Sequence, residues 1–408
     1  MNLPRSQPFS LGALALAFLC VPALASALPQ KGKGSRNDPA NCPWCHGDPR
    51  VMEAAGIVSH GGFEFAAEPS TTTTVDQHFG GKDIYWIESA HFELGLCLGP
   101  HKVGPDESKK VRAELAELAK VLPEVDPKIR VLEPFMRTHL YAYRVEKMWA
   151  RFLELMQVKE SDFPDGRSVW VLGTPYFGEG PYVGQKGKFE LLVLPTAADQ
   201  VGFLMKQFGL TVKRTQRWHT LERGSLIVVT NLSENDLLED EKIHGHVIFN
   251  LSINMLDAFK HYSYDTPCWL REGLGHFMER EINPRFNTYD ASEGSLGVKV
   301  NKENWDVEVK QLILADKAPR VAELTALKTY GEFEMRHHYA CWSMTKFMAT
   351  TNPEGYGCLN KMIHGRKRPD GMPDAEDLAG VMRDAFTQCF GMSYPQFDEA
   401  WRAWAMGQ

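Results

Sequence analysis

From Glu239 to Tyr262 the chain is apolar on nearly every face of a helix, with Ile243, Val247, Ile248, Phe249, Leu251, Ile253, Met255 and Leu256 leaving no polar stripe. A helix of this kind belongs in the interior of a large fold, with other elements packed all around it. Within it stand two polar residues four apart, His246 and Asn250, which therefore project from one face about one turn from each other. An unpaired imidazole or amide in a core costs about 1 to 3 kcal/mol, so the pair needs partners. Two ligands of one metal ion have this spacing, and so do two hydrogen-bonded core residues.

The flanking pattern supplies the surrounding elements. Upstream, the sequence predicts a strand at Phe189 to Leu194, a helix at Ala197 to Phe208 behind Pro195, and strands at Trp218 to Glu222 and Ser225 to Thr230. Arg223-Gly224 is the hairpin signal between the last two. Downstream, helices are expected at Trp269 to Glu281, His337 to Thr350, Asp374 to Phe390 and Tyr394 to Met406. The expected class is α+β and mostly helical, with a small mixed sheet packed on a helical bundle over residues 188–408. Ahead of it are expected a small β-containing cap carrying a cysteine pair (42–107) and a helical arm (108–187), the latter from the apolar face Val111, Leu115, Leu118 and Leu122.

Glu272 lies 22 residues beyond Asn250 in the segment Trp269-Leu270-Arg271-Glu272-Gly273-Leu274-Gly275-His276-Phe277. A buried helix followed at this distance by W-L-x-E-G-L resembles the gluzincin zinc metallopeptidases, in particular their peptidase MA-like members, over about residues 188–408. The resemblance implies a zinc ion held by His246, by the residue at position 250 and by Glu272, with a glutamate at position 247 taking the proton of a metal-bound water. Here the first motif reads His246-Val247-Ile248-Phe249-Asn250. Valine has no proton chemistry, and a neutral amide oxygen is a ligand that zinc does not favour. The expected metal-site residues are His246, Asn250, Glu272 and His276, the last sharing a helix face with Glu272, whereas His244 points elsewhere on its helix. Three readings follow: an inert hydrogen-bonded core in a non-catalytic binding or scaffolding protein, a metal site without hydrolysis, and an active zinc metallohydrolase using His246, Glu272 and His276.

Cys42-Pro43-Trp44-Cys45-His46 has the letters of a c-type haem attachment site, with Met52 and His60 as nearby second ligands. Cys42, Cys45 and His60, with or without His46, also have the make-up of a small zinc knuckle. A Cys42–Cys45 disulfide or a free thiol pair is the third reading. His78, His91, His101 and Cys97 lack matched spacing and are read as ordinary surface or core residues.

Arg5, the apolar run Leu11 to Val21 and the small residues Ala23 to Ala27 form an export signal, with cleavage expected near Ala25 or Ala27. Residues 28–41 read as a flexible tether. The expected location is secreted or periplasmic, where disulfides are allowed. The formal charge of −7 argues against nucleic acid as a partner and leaves a protein or peptide, and no stretch is long and apolar enough to span a bilayer.

Overall fold

The computed structural model describes residues 38–167, 169–234, 237–262, 266–289 and 303–408. The expected signal (1–27) and most of the tether lie outside the described residues. The strands are β1 (Ile57–Ser59), β2 (Tyr85–Ser89), β3 (Phe92–Leu96), β4 (His101–Lys102), β5 (Val131–Leu132), β6 (Phe189–Leu194), β7 (Gln216–Thr220) and β8 (Ser225–Asn231). The helices begin with α1 (Pro49–Ala54), α2 (Thr72–Phe79), α3 (Ser108–Leu118), α4 (Pro134–Met156), α5 (Ala197–Phe208), α6 (Asp240–Ala258) and α7 (Cys268–Ile282). They continue with α8 (Trp305–Leu314), α9 (Val321–Ala326), α10 (Met335–Thr351), α11 (Pro353–Ile363), α12 (Leu378–Phe390) and α13 (Tyr394–Met406).

Six strands form one mixed sheet in the order β1-β2-β3-β6-β8-β7. β3, β6 and β8 run parallel, while β1, β2 and the edge strand β7 are antiparallel to their neighbours. β6 is buried along its whole length, as a central parallel strand covered on both faces must be, which explains the near-continuous apolar run Phe-Glu-Leu-Leu-Val-Leu. Its residues alternate between two cores. Phe189, Leu191 and Val193 join the large helical core with α4 and α6, while Leu192 and Leu194 pack with Trp86, Phe203 and Phe65 on the face covered by α2 and α5.

The class is thus α+β, with a mixed sheet and many helices. The expected division into cap, arm and C-terminal domain is corrected by the sheet itself. β3 pairs with β6 in the register Phe92↔Phe189 to Leu96↔Val193, so strands from both sides of the expected boundary at 187 share one ladder. Nor is α4 an arm. It is buried on most faces and packs on β2, β3, α6 and α11.

α6 is buried at nearly every position, as its all-apolar pattern requires. α7 lies between α6 and α10, its two closest helical neighbours. Two glycines permit this approach. A Cβ on Gly275 would meet Phe249 Cε2 of α6 at 2.7 Å, and one on Gly273 would overlap the Thr345 hydroxyl of α10 and reach the Cys341 carbonyl oxygen at 2.9 Å.

Candidate metal centres

Glu272 and His276 are one turn apart on α7, and His338 enters from the first turn of α10. All three are fully buried. Glu272 Oε2 lies 3.3 Å from His276 Nε2 and 3.1 Å from His338 Nδ1, and the two ring nitrogens are 3.1 Å from each other. A tetrahedral zinc ion with bonds of 2.0–2.1 Å sets its ligand atoms about 3.3 Å apart, so the triangle has the dimensions of such a ligand set. Neither oxygen of Glu272 accepts a well-aligned hydrogen bond from a described residue. A carboxylate buried in that condition is costly unless a cation compensates it, and the residues present therefore fit a divalent metal.

The electrostatics agree. Burial alone would raise the Glu272 carboxyl, but contact with His276 and His338 holds it down at about 2. Burial pulls His276 down while Glu272 and Glu279 push it up, with a net rise, whereas burial leaves His338 low. The walls are aromatic, with Phe249, Tyr289 and Trp305 around His276 and Phe333 against His338. On its far nitrogen, Nδ1, His276 faces Glu279 Oε2 at 3.6 Å, the kind of outer carboxylate that orients a ligating imidazole.

His246 and Asn250 do not join this group. Thr288 donates its hydroxyl to Glu279 Oε1 at 2.6 Å and so accepts from His246 Nδ1 at 3.3 Å. The network thereby assigns the proton to Nδ1 and leaves Nε2 to accept from the Thr230 hydroxyl at 3.1 Å, while the Thr215 oxygen, 2.8 Å from the same nitrogen, donates its proton to Glu234 at 2.8 Å. Asn250 Oδ1 accepts from Arg217 at 3.0 Å, and its amide donates to the His246 carbonyl at 2.9 Å. Of the four residues expected at one ion, the structure brings Glu272 and His276 together, adds His338, and places His246 in a network that reaches Glu279 through Thr288. His244 faces Tyr141 on another side of α6.

A second cluster lies in the N-terminal part of the chain. Cys42, Cys45, His60 and His139 are all buried, and their ligand atoms lie within 4.8 Å of one another. Cys42 Sγ is 3.0 Å from His139 Nε2, and Cys45 Sγ is 3.2 Å from His60 Nε2. Neither Cys42 nor Cys45 is in a disulfide. The bridge in the described structure joins Cys358 and Cys389, a pairing the sequence reading did not foresee. His46 is on the surface, 3.1 Å from Glu124. The haem reading needs that imidazole on the same side as two thiols open to a porphyrin. Here the thiols turn inward to two other histidines, so this geometry does not fit.

Sequence reasoning missed His139 and His338. Each is one of several polar letters on the buried face of its helix, beside Arg137 and Thr138 on α4 and His337 on α10, so nothing in the local pattern singled it out. No protein-family model matches the chain, and no curated protein resembles it to a significant degree.

Proposed function

We propose that the chain is an exported peptidase MA-like protein with a degenerate catalytic position, acting by binding or scaffolding and not by hydrolysis. The observation that carries this reading is the state of α6. Val247 stands where the resemblance requires the proton-accepting glutamate, and it is fully buried. His246 beside it already spends both ring nitrogens on threonine hydroxyls, and Asn250 is held by Arg217. Without a base near an ion, a metal-bound water has no proton acceptor, and the hydrolytic step loses its general-base contribution.

A cleft on the surface supports the binding reading. A cleft of about 820 Å³ between α3, α4 and α7 is lined by Lys110, Lys147 and Arg151 beside Glu114, with Met148 and Met278 on its floor. Its mixed charge and apolar floor suit a peptide or protein segment.

The test compares the wild type with His246→Ala and Glu272→Gln on a panel of unstructured peptides in the presence of zinc. The expected result is no cleavage above background in any of the three. Cleavage by the wild type that Glu272→Gln removes would overturn the reading. One observation favours a second reading, a metallohydrolase centred on Glu272, His276 and His338, namely the convergence of those three ligand atoms. Activity that is lost in His338→Ala but retained in His246→Ala would select it. Metal content separates the roles further: His338→Ala is expected to lower it, and His246→Ala to leave it unchanged.

A further inference from the structure

We propose that Cys42, Cys45, His60 and His139 form a closed four-ligand zinc site that staples the first ordered segment of the chain to α4. The four ligands come from three places. Cys42 and Cys45 flank the turn Pro43-Trp44, His60 follows β1, and His139 lies on the buried face of α4 beside Met136 and Leu140. The longest span between ligands, Cys42 to His139, is 97 residues.

The local backbone holds the cysteine pair in a tight turn. The N–H of His46 donates to the Cys42 carbonyl at 3.1 Å and that of Asp48 to the Cys45 carbonyl at 2.8 Å. Gly47 has φ +67°, and a Cβ there would press on the backbone of Ala40 at 3.0 Å, so this turn requires glycine.

The donor set selects the ion. Two sulfurs and two imidazoles are a soft, tetrahedral combination that suits zinc and not calcium or magnesium. Zinc would set each sulfur about 3.6 Å from each nitrogen, and the observed 3.0 and 3.2 Å require an expansion of about half an ångström. A disulfide would consume both sulfurs and leave two buried imidazoles. His60 and His139 already have Nδ1 atoms without a partner among the described residues, and they would then lose their Nε2 partners as well. With four protein ligands, all buried, no position is left for substrate, so the role is structural.

The experiment uses the full chain without a histidine tag. Zinc content and cysteine alkylation are mapped by mass spectrometry before and after a strong chelator. Cys42 and Cys45 are expected to be protected as isolated and to become reactive when zinc is removed, while the buried Cys268 and Cys341 stay protected as internal controls. Replacement by cobalt(II) is expected to give a thiolate-to-cobalt charge-transfer band that survives His276→Ala and disappears in Cys45→Ser. A Cys42–Cys45 disulfide in the freshly purified protein would overturn the proposal. So would thiol reactivity that the chelator does not change, a reading that needs no variant to fold. Because the band is scored in His276→Ala, this result stands apart from any failure at the Glu272 centre.

Discussion

Gly273 and Gly275 decide how closely three helices meet, and Glu272 and His276 are placed by that closeness. On an exposed helix, alanine in place of glycine gains up to about 1 kcal/mol. At position 273 the added methyl has nowhere to go. Thr345 can rotate away, but the Cys341 carbonyl belongs to the α10 backbone and cannot. Overpacking of this kind costs about 1 to 3 kcal/mol, so Gly273→Ala is expected to lower the melting temperature. It should also reduce metal bound by Glu272, His276 and His338, because α10 carries the third ligand. Thermal melting with elemental analysis checks both, and a higher melting temperature with full metal content would contradict the argument. In the sequence Gly273 was legible only as a letter of the resemblance, and Gly275 lies beyond the letters that carry it. Their physical reason needs the identity of the facing residues, Phe249 on one side and Cys341 and Thr345 on the other, which no local pattern supplies. The same limit hid His139 and His338, because a ligand set assembled across helices leaves no spacing to read.

At the scale of elements, α4 and α6 are locked by charge as well as by packing. Asp240 at the start of α6 receives Arg137 at 2.6 Å and Arg144 at 2.7 Å, while Arg144 also pairs with Glu114 of α3 and Tyr141 lies against the same carboxylate. Burial alone would raise the Asp240 carboxyl, but the Arg144 and Arg137 guanidiniums overcome it and hold it well below the usual carboxylate range. The stabilisation is therefore complete above the ordinary aspartate value of about 4 and is lost as the pH falls below it toward the folded value. Asp240→Asn leaves two buried guanidiniums without their anion and is expected to cost about 3 to 5 kcal/mol at pH 7. Denaturant titrations from pH 7 to pH 3 should show the difference between wild type and variant shrinking toward acid. A constant difference would mean that the carboxylate charge does not matter. These arginines also explain why α4 read as an arm from the sequence. Their partner Asp240 sits about a hundred residues away, so nothing local to α4 shows that its arginines are buried against α6. The elements themselves were more legible: β6, α5 and α13 span the stretches expected for them. The pairing of β3 with β6 was not, because a parallel register between Phe92 and Phe189 has no signature in either strand alone.

For the molecule as a whole, the Cys358–Cys389 bridge closes a loop of 31 residues and joins α11 to α12. No helix among the described residues is long and apolar enough to cross a membrane, and the bridge is compatible with the oxidising compartment that the expected export signal would provide. Chain-entropy arguments put the contribution of such a closure at roughly 2 to 4 kcal/mol, because it narrows the unfolded ensemble. Reduction is therefore expected to lower the melting temperature by several degrees, and Cys358→Ser with Cys389→Ser should reproduce the shift without reductant. None of Glu272, His276 and His338 lies on α11 or α12, the two bridged helices, so the two effects are expected to add, with the packing of Phe386 of α12 on Trp269 of α7 as the route by which they would couple. Metal content at the Glu272 centre should then be the same in reduced and oxidised protein, and the drop caused by chelation should be equal in both. If reduction instead releases the metal, α10 and α11 move as one rigid piece, and the bridge holds the centre's geometry as well as the loop.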